Sequence, residues 1–130
     1  MDVLLDTHTW VWTLTDDPRL SAPARAAITT ASTVRVSPIT FFEIGQKVRI
    51  GKWPEMAPHL PTLIQQLNDQ GGHPAPFTND VALLSSTLDW PHRDPFDRIL
   101  AATAMLSGIP LITTDPAFAS LQDPRLTIVW

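Results

Sequence analysis

Apolar positions along the chain fall into two patterns. Four short, β-branched runs are nearly continuous in hydrophobicity: Val3 to Leu5, Thr33 to Val36, Leu111 to Thr114 and Leu126 to Val129. Runs of that length without polar alternation predict strands buried on both faces. Between them the apolar residues recur at helical spacing over Thr9 to Leu14, Ala22 to Thr30, Ile39 to Val48, Leu60 to Asn68, Asp80 to Thr87 and Pro95 to Ser107. A further short strand is expected around Pro74 to Phe77. Strands alternating with helices predict parallel pairing through right-handed crossovers. The expected fold is therefore α/β, a three-layer arrangement with a central, mostly parallel sheet of four to five strands and helices on both faces.

Length and composition narrow the reading further. The 130 residues contain no repeat and no linker-like Gly/Ser stretch, and the 13 prolines are spread through the chain. One domain spanning residues 1–130 is expected, large enough to bury about 65 to 70 % of its unfolded surface. Cysteine is absent, which excludes disulfides, thiolate metal sites and a Cys nucleophile. Carboxylates and histidines are then the strong metal ligands left. No basic segment opens the chain and no apolar run approaches the ~20 residues of a membrane span, so a soluble, cytoplasmic protein with no membrane partner is expected. Thirteen acids against nine Lys plus Arg leave a formal net charge of −4. Taken over the whole surface this opposes nucleic-acid binding. The objection weakens if several acids share one pocket, where bound cations would cancel them.

Four acids deserve weighing one at a time. Asp6 directly follows the first strand, at the sheet edge where α/β proteins bind ligands, but a helix cap accounts for it equally well. Glu43 lies among apolar neighbours in Ile39-Thr40-Phe41-Phe42-Glu43-Ile44, and a buried Glu needs a partner. The alternative is an ordinary surface pair with Lys47 at i+4. In His92-Arg93-Asp94-Pro95-Phe96-Asp97-Arg98, Asp94 stands at the cap position and Pro95 at the favoured first helical position. Asp97, one turn on, is not explained by capping. Asp115 follows a strand as Asp6 does, yet Asp-Pro also occurs at Asp17, Asp94 and Asp123 as a turn starter.

Taken together these acids converge, because two end strands and two lie on helices that a parallel topology carries over the same edge. At ~5 Å and an effective dielectric of ~20, each like-charged pair costs about 3 kcal/mol. A cluster of that kind protonates or recruits a cation, and oxygen ligands favour Mg²⁺ or Mn²⁺ over zinc. Such an ion activates water and neutralises phosphate oxygens, which is the chemistry of phosphodiester hydrolysis.

The segments V-L-L-D-T-H, S-P-I-T-F-F-E-I followed by K-V-R-I-G-K, H-R-D-P-F-D-R-I-L-A-A-T-A and G-I-P-L-I-T-T-D resemble, in order and spacing, the blocks of the PIN-domain family. More narrowly they resemble the VapC-type toxins of toxin–antitoxin pairs. The resemblance spans nearly the whole chain. It implies a Mg²⁺- or Mn²⁺-dependent endoribonuclease, homodimeric in many members, acting on RNA and neutralised by a cognate antitoxin. Its acidic quartet falls on Asp6, Glu43, Asp97 and Asp115, with Asp94 as an accessory acid and Thr40 and Thr113 or Thr114 as supporting hydroxyls. Lys47, Arg49, Lys52 and Arg98 are the candidates for positioning phosphate, although most Lys and Arg simply face solvent.

The remaining features carry less. Five tryptophans are many for this length, and exposed ones can stack RNA bases; burial is the expected role, above all for Trp10. The four histidines show no metal-ligand spacing, and His8, two residues after Asp6, is expected to be structural or solvated. A dinucleotide-binding domain is excluded by the missing glycine-rich turn after the first strand. An aspartyl-phosphate enzyme would want an acid where His8 stands. The rival that survives is a PIN-like scaffold that binds RNA or a partner protein without cleaving.

Overall fold

A computed structural model describes residues 1–130. Five strands, β1 (Val3–Leu5), β2 (Val34–Val36), β3 (His73–Pro74), β4 (Leu111–Ile112) and β5 (Ile128–Val129), form one sheet in the order β3-β2-β1-β4-β5. Every neighbouring pair is parallel. The chain steps outward from β1 to β3 and then returns to the other side of β1 for β4. The order therefore reverses between β1 and β4, and the gap at their carboxyl ends is where α/β sheets place ligands.

Six α-helices cover the sheet: α1 (Thr7–Leu14), α2 (Ala22–Thr30), α3 (Pro38–Arg49), α4 (Leu63–Asp69), α5 (Asn79–Thr87) and α6 (Pro95–Ser107). None is long and apolar enough to cross a membrane. Successive strand residues point to opposite faces, and the core divides accordingly. Leu4 and Leu111 join Leu88, Trp90, Leu100, Ala101, Ala104 and Met105 beneath α5 and α6. Val3, Leu5, Val36 and Ile112 join Trp10, Ala24, Ile44, Leu63 and Leu67 beneath the first four helices. The three-layer α/β fold read from the sequence is the one observed.

Element ends moved where local chemistry overrode periodicity. The first helix starts at Thr7 rather than Thr9, because Asp6 caps it with Oδ1 accepting from the Thr9 N–H at 2.8 Å. The expected helix from Leu60 begins only at Leu63: Pro58 and Pro61 have no N–H to donate, and Pro54–Thr62 winds instead as a 3₁₀ segment. The strand expected over Leu126 to Val129 is reduced to Ile128–Val129, and the one around Pro74 lies at His73–Pro74. The last helix runs from Pro95 to Ser107 as expected, started by Asp94 and stopped by Gly108 at φ +65°, a left-handed conformation that glycine adopts without strain.

Candidate functional site

At the gap between β1 and β4 lies a cleft of about 310 Å³, lined by Asp6, Glu43, Asp94, Asp97 and Asp115 together with Thr7, His8, Trp12, Lys47 and Thr114. Asp6 ends β1, Asp115 follows β4, Glu43 comes from the middle of α3, and Asp97 from the first turn of α6. The registers Leu5 to Ile112 and Leu5 to Val36 fix the strand ends relative to each other. All four acids of the expected quartet, and the accessory Asp94, are brought to one place.

Each carboxylate is held differently. Asp6, 7 % exposed, accepts from the Thr9 N–H through Oδ1 and from the Thr113 hydroxyl through Oδ2. Cap and cleft residue were posed as alternatives, but a carboxylate has two oxygens and Asp6 is both. Burial pushes its pKa up, against the lowering effect of the Thr113 and Thr9 hydrogen bonds. Glu43, 6 % exposed, accepts from the Thr7 hydroxyl at 2.6 Å through Oε1 and pairs with the Lys47 ammonium at 2.5 Å through Oε2. The i+4 pair with Lys47 is real, yet it lies in the cleft wall rather than on an open helix face. Thr7 Oγ1 also lies 3.1 Å from Thr40 Oγ1, so a chain of hydroxyls runs behind Glu43.

Asp97 is pushed up to about 6, by burial first, then by the neighbouring charges of Asp94 and Asp115, against a lowering hydrogen bond from His92. Its Oδ2 lies 2.6 Å from His92 Nε2. Asp94 caps α6 through the Phe96 N–H at 2.9 Å, and Asp115 caps the following 3₁₀ turn through the Ala117 N–H at 2.9 Å. One ligating atom each of His92, Asp94 and Asp97 lie within 4.8 Å of one another. The donor set is carboxylate oxygen with hydroxyls and one imidazole, the set that suits a hard divalent cation. Carboxylates gathered this closely raise one another's proton affinity, as at Asp97, unless a cation replaces the proton.

The supporting residues divide. Thr40 and Thr113 are buried behind the acids, and Thr114 lines the cleft. Of the basic candidates Lys47 alone lines it; Arg49 and Lys52 are exposed elsewhere on the surface. Arg98 is a correction. Its guanidinium donates to the carbonyls of Ser85 (2.7 Å), Leu88 (2.6 Å), Trp90 (2.8 Å) and His92 (2.9 Å). One residue is about 100° of helix turn, so with Asp97 facing the cleft Arg98 faces α5 and the loop after it. It ties structure together instead of meeting phosphate. Sequence reading overlooked Thr7 and His92 and set His8 aside. A hint for Thr7 was its place in the first turn after a strand-end acid, and for His92 its place just ahead of a helix cap, beside that helix's first turn.

Parallel sheet, reversal of strand order and acid-lined cleft together define an α/β protein built around a carboxylate site at its topological switch point. The chain belongs to the PIN domain family, whose model matches residues 3–124. It is 34 % identical over 131 residues to Ribonuclease VapC22 of Mycobacterium tuberculosis, covering 98 % of both chains. Among solved structures it is similar to VapBC-5 of Mycobacterium tuberculosis, a toxin–antitoxin family member (TM-score 0.67, 19 % identity, 98 % of this chain and 96 % of that one). It is also similar to VapBC2 of Rickettsia felis bound to a promoter DNA fragment (TM-score 0.66, 15 % identity, 98 % and 97 %). At such identities these two likenesses speak for the fold.

Proposed function

We propose that the chain is a single-domain, Mg²⁺- or Mn²⁺-dependent endoribonuclease acting in the cytoplasm as the toxin of a toxin–antitoxin pair. The observation that carries this reading is the convergence of Asp6, Glu43, Asp97 and Asp115, from four separate elements, on one cleft at the strand-order reversal. The relative named a ribonuclease, similar along nearly its whole length, supports the choice of RNA over other phosphodiesters.

Asp6 and Asp97, with Glu43 and Asp115 beside them, would hold the cation. When bound, the ion supplies a water of lowered pKa and charge neutralisation at the phosphate oxygens. The chain's own contribution is placement. Thr113 and the Thr9 N–H fix the Asp6 carboxylate, and Thr7 fixes Glu43. Lys47, already in the wall, is the cationic side chain within reach of a backbone phosphate. Hydrolysis forms a bond from water oxygen to phosphorus and breaks one phosphorus–oxygen ester bond, the water giving its proton to solvent and the leaving oxygen taking one up; a bound cation would relieve the crowding that raises Asp97.

The solved relatives are toxin–antitoxin complexes, and the same arrangement is proposed here: a cognate antitoxin covering the toxin, and a homodimer of the toxin itself. Exposed Phe42, Ile64 and Leu83 are apolar surface on which such contacts would draw. The test of the nuclease reading is cleavage of RNA by purified protein with Mn²⁺, its arrest by EDTA and its loss in Asp97→Asn. Full activity in chelator, or equal activity of the variant, would overturn it. Growth arrest by inducible expression of both wild type and Asp97→Asn would favour a scaffold that binds without cleaving.

A further inference from the structure

Next to the acid cleft, and sharing His8 and Trp12 with it, lies a second cavity of about 400 Å³, within the roughly 300 to 1,000 Å³ of small-ligand sites. Its walls include His8, Val11, Trp12, Arg19, Trp53 and Met56. The His8 ring stacks on Trp53 with centroids 4.8 Å apart and planes 23° apart, and Trp12 stands 6.1 Å from His8, tilted by 58°. The Arg19 guanidinium lies over Trp12, 4.7 Å from the ring centroid, and is gripped by both oxygens of Asp17 at 3.0 and 2.8 Å. The Lys47 ammonium, paired with Glu43, lies 5.7 Å from the Trp53 centroid. Aromatic rings thus form a path leading away from the acids.

Trp10 fills the core at 0 % exposure; Trp53 packs against the core's edge and Trp12 against Trp130, yet both are only half-buried and His8 is exposed. The Arg19 and Asp17 charges cancel, and the cavity presents π-faces with Glu55 as its one acid outside an ion pair, beside a cleft suited to a cation and an anion. A flat, uncharged aromatic group joined to a phosphate matches that pair of environments.

We propose that this cavity is the subsite for the nucleobase next to the scissile phosphate, with Trp12 and His8 as its stacking surface. The inference rests on the nuclease reading above. Duplex bases are covered on both faces by their neighbours and cannot enter such a slot, whereas unstacked bases of loops and single strands can.

The test uses fluorescence anisotropy of a short labelled single-stranded oligoribonucleotide, with Asp97→Asn as background to keep the RNA whole, and a series of oligonucleotides each carrying one abasic position. Trp12→Leu is expected to weaken binding on the order of tenfold and to erase the effect of the abasic nucleotide at one position only. Trp12→Phe, which keeps a ring, should recover most of the affinity. His8→Ala, at an exposed position, removes the ring stacked on Trp53 and should act at the same nucleotide, with an unchanged melting temperature showing that the fold is intact. Unchanged affinity in both ring-removing variants, or losses that simply add to the abasic loss at every position, would overturn the subsite. If wild type cleaves RNA while these results fail, the nuclease reading stands and the subsite falls; if wild type neither cleaves nor binds RNA, both fall.

Discussion

The two walls of the acid cleft are built on opposite physical terms. On one side Asp6 and Glu43 are buried and tied by hydrogen bonds to Thr9, Thr113, Thr7 and Lys47. On the other, Asp94, Asp97 and Asp115 are more accessible, and they act on one another through charge. Position is fixed by hydrogen bonds on the first wall. On the second, like charges are kept together by the start of α6 and the end of β4, and Asp97 holds its proton unusually tightly, through its burial first and those charges second. A site that had only the first wall would be rigid but weak in charge; one with only the second would protonate.

The strongest way to break this contrast is to remove charge from each wall in turn. Asp6→Asn and Asp97→Asn should each lower RNA cleavage by more than the roughly 10- to 100-fold that outer partners of a metal site are worth, with little change in melting temperature. Mn²⁺ titration by calorimetry should show weakened binding in both. Retained Mn²⁺ affinity in Asp6→Asn would confine the cation to the Asp97 wall.

Arg98→Met comes next and acts on folding. It leaves four carbonyls without their cationic donor, and about 2 to 4 kcal/mol of stability should be lost in urea unfolding. Loss of RNA affinity without loss of stability would return Arg98 to a phosphate-positioning role. Thr113→Val tests the bracing of the first wall. It removes one hydrogen bond from Asp6 at nearly constant volume, and a 10- to 100-fold fall in metal affinity or activity is expected. An effect no larger than that of an exposed threonine change would show that Asp6 needs no brace.

The mildest effect is on pH dependence. The folded-state carboxyl of Asp97 sits near 6 against 3.8 for the ordinary group, so between those values the native state carries more protons than the unfolded chain. Asp97 therefore contributes stability to the metal-free protein that is fully present below about pH 4 and falls away as pH rises through about 6. Asp97→Asn should flatten that fall in thermal melts. Mn²⁺ should raise the melting temperature more at pH 7.5 than at pH 5, since the cation competes with the proton. Wild-type and Asp97→Asn profiles of the same slope between pH 4 and 6 would show that Asp97 is not raised in the folded protein.

Much of this arrangement could be read before any coordinates. Short continuous apolar runs alternating with helical spacing were enough for a parallel sheet with two covered faces, and Asp94-Pro95 marked the start of α6. The four acids stood out because strand ends and a helix start have defined places in such a sheet. What stayed illegible depends on rotation and on competition between partners. Asp97 and Arg98 are adjacent and both sit on a largely buried helix, and only the packing of α5 decides which one faces the cleft. Whether Glu43 formed only a surface pair with Lys47 stayed open, because spacing on a helix says nothing about what lies opposite. The His8 stack needs Trp53, which stands just ahead of the proline-broken segment, far along the chain from His8.

Asp6 and Thr113 are hydrogen-bonded across 107 residues of sequence, because β1 pairs with β4. A contact cannot form before both partners exist, and pairings this distant are the slow ones in folding. During synthesis Asp6, Glu43 and Asp97 are all in place while β1 still lacks its neighbour and Asp115 has not been added. A nascent chain halted before Leu111 thus carries three of the four acids without the strand that aligns them, so the cleft can be completed only after β4 and Asp115 have been made.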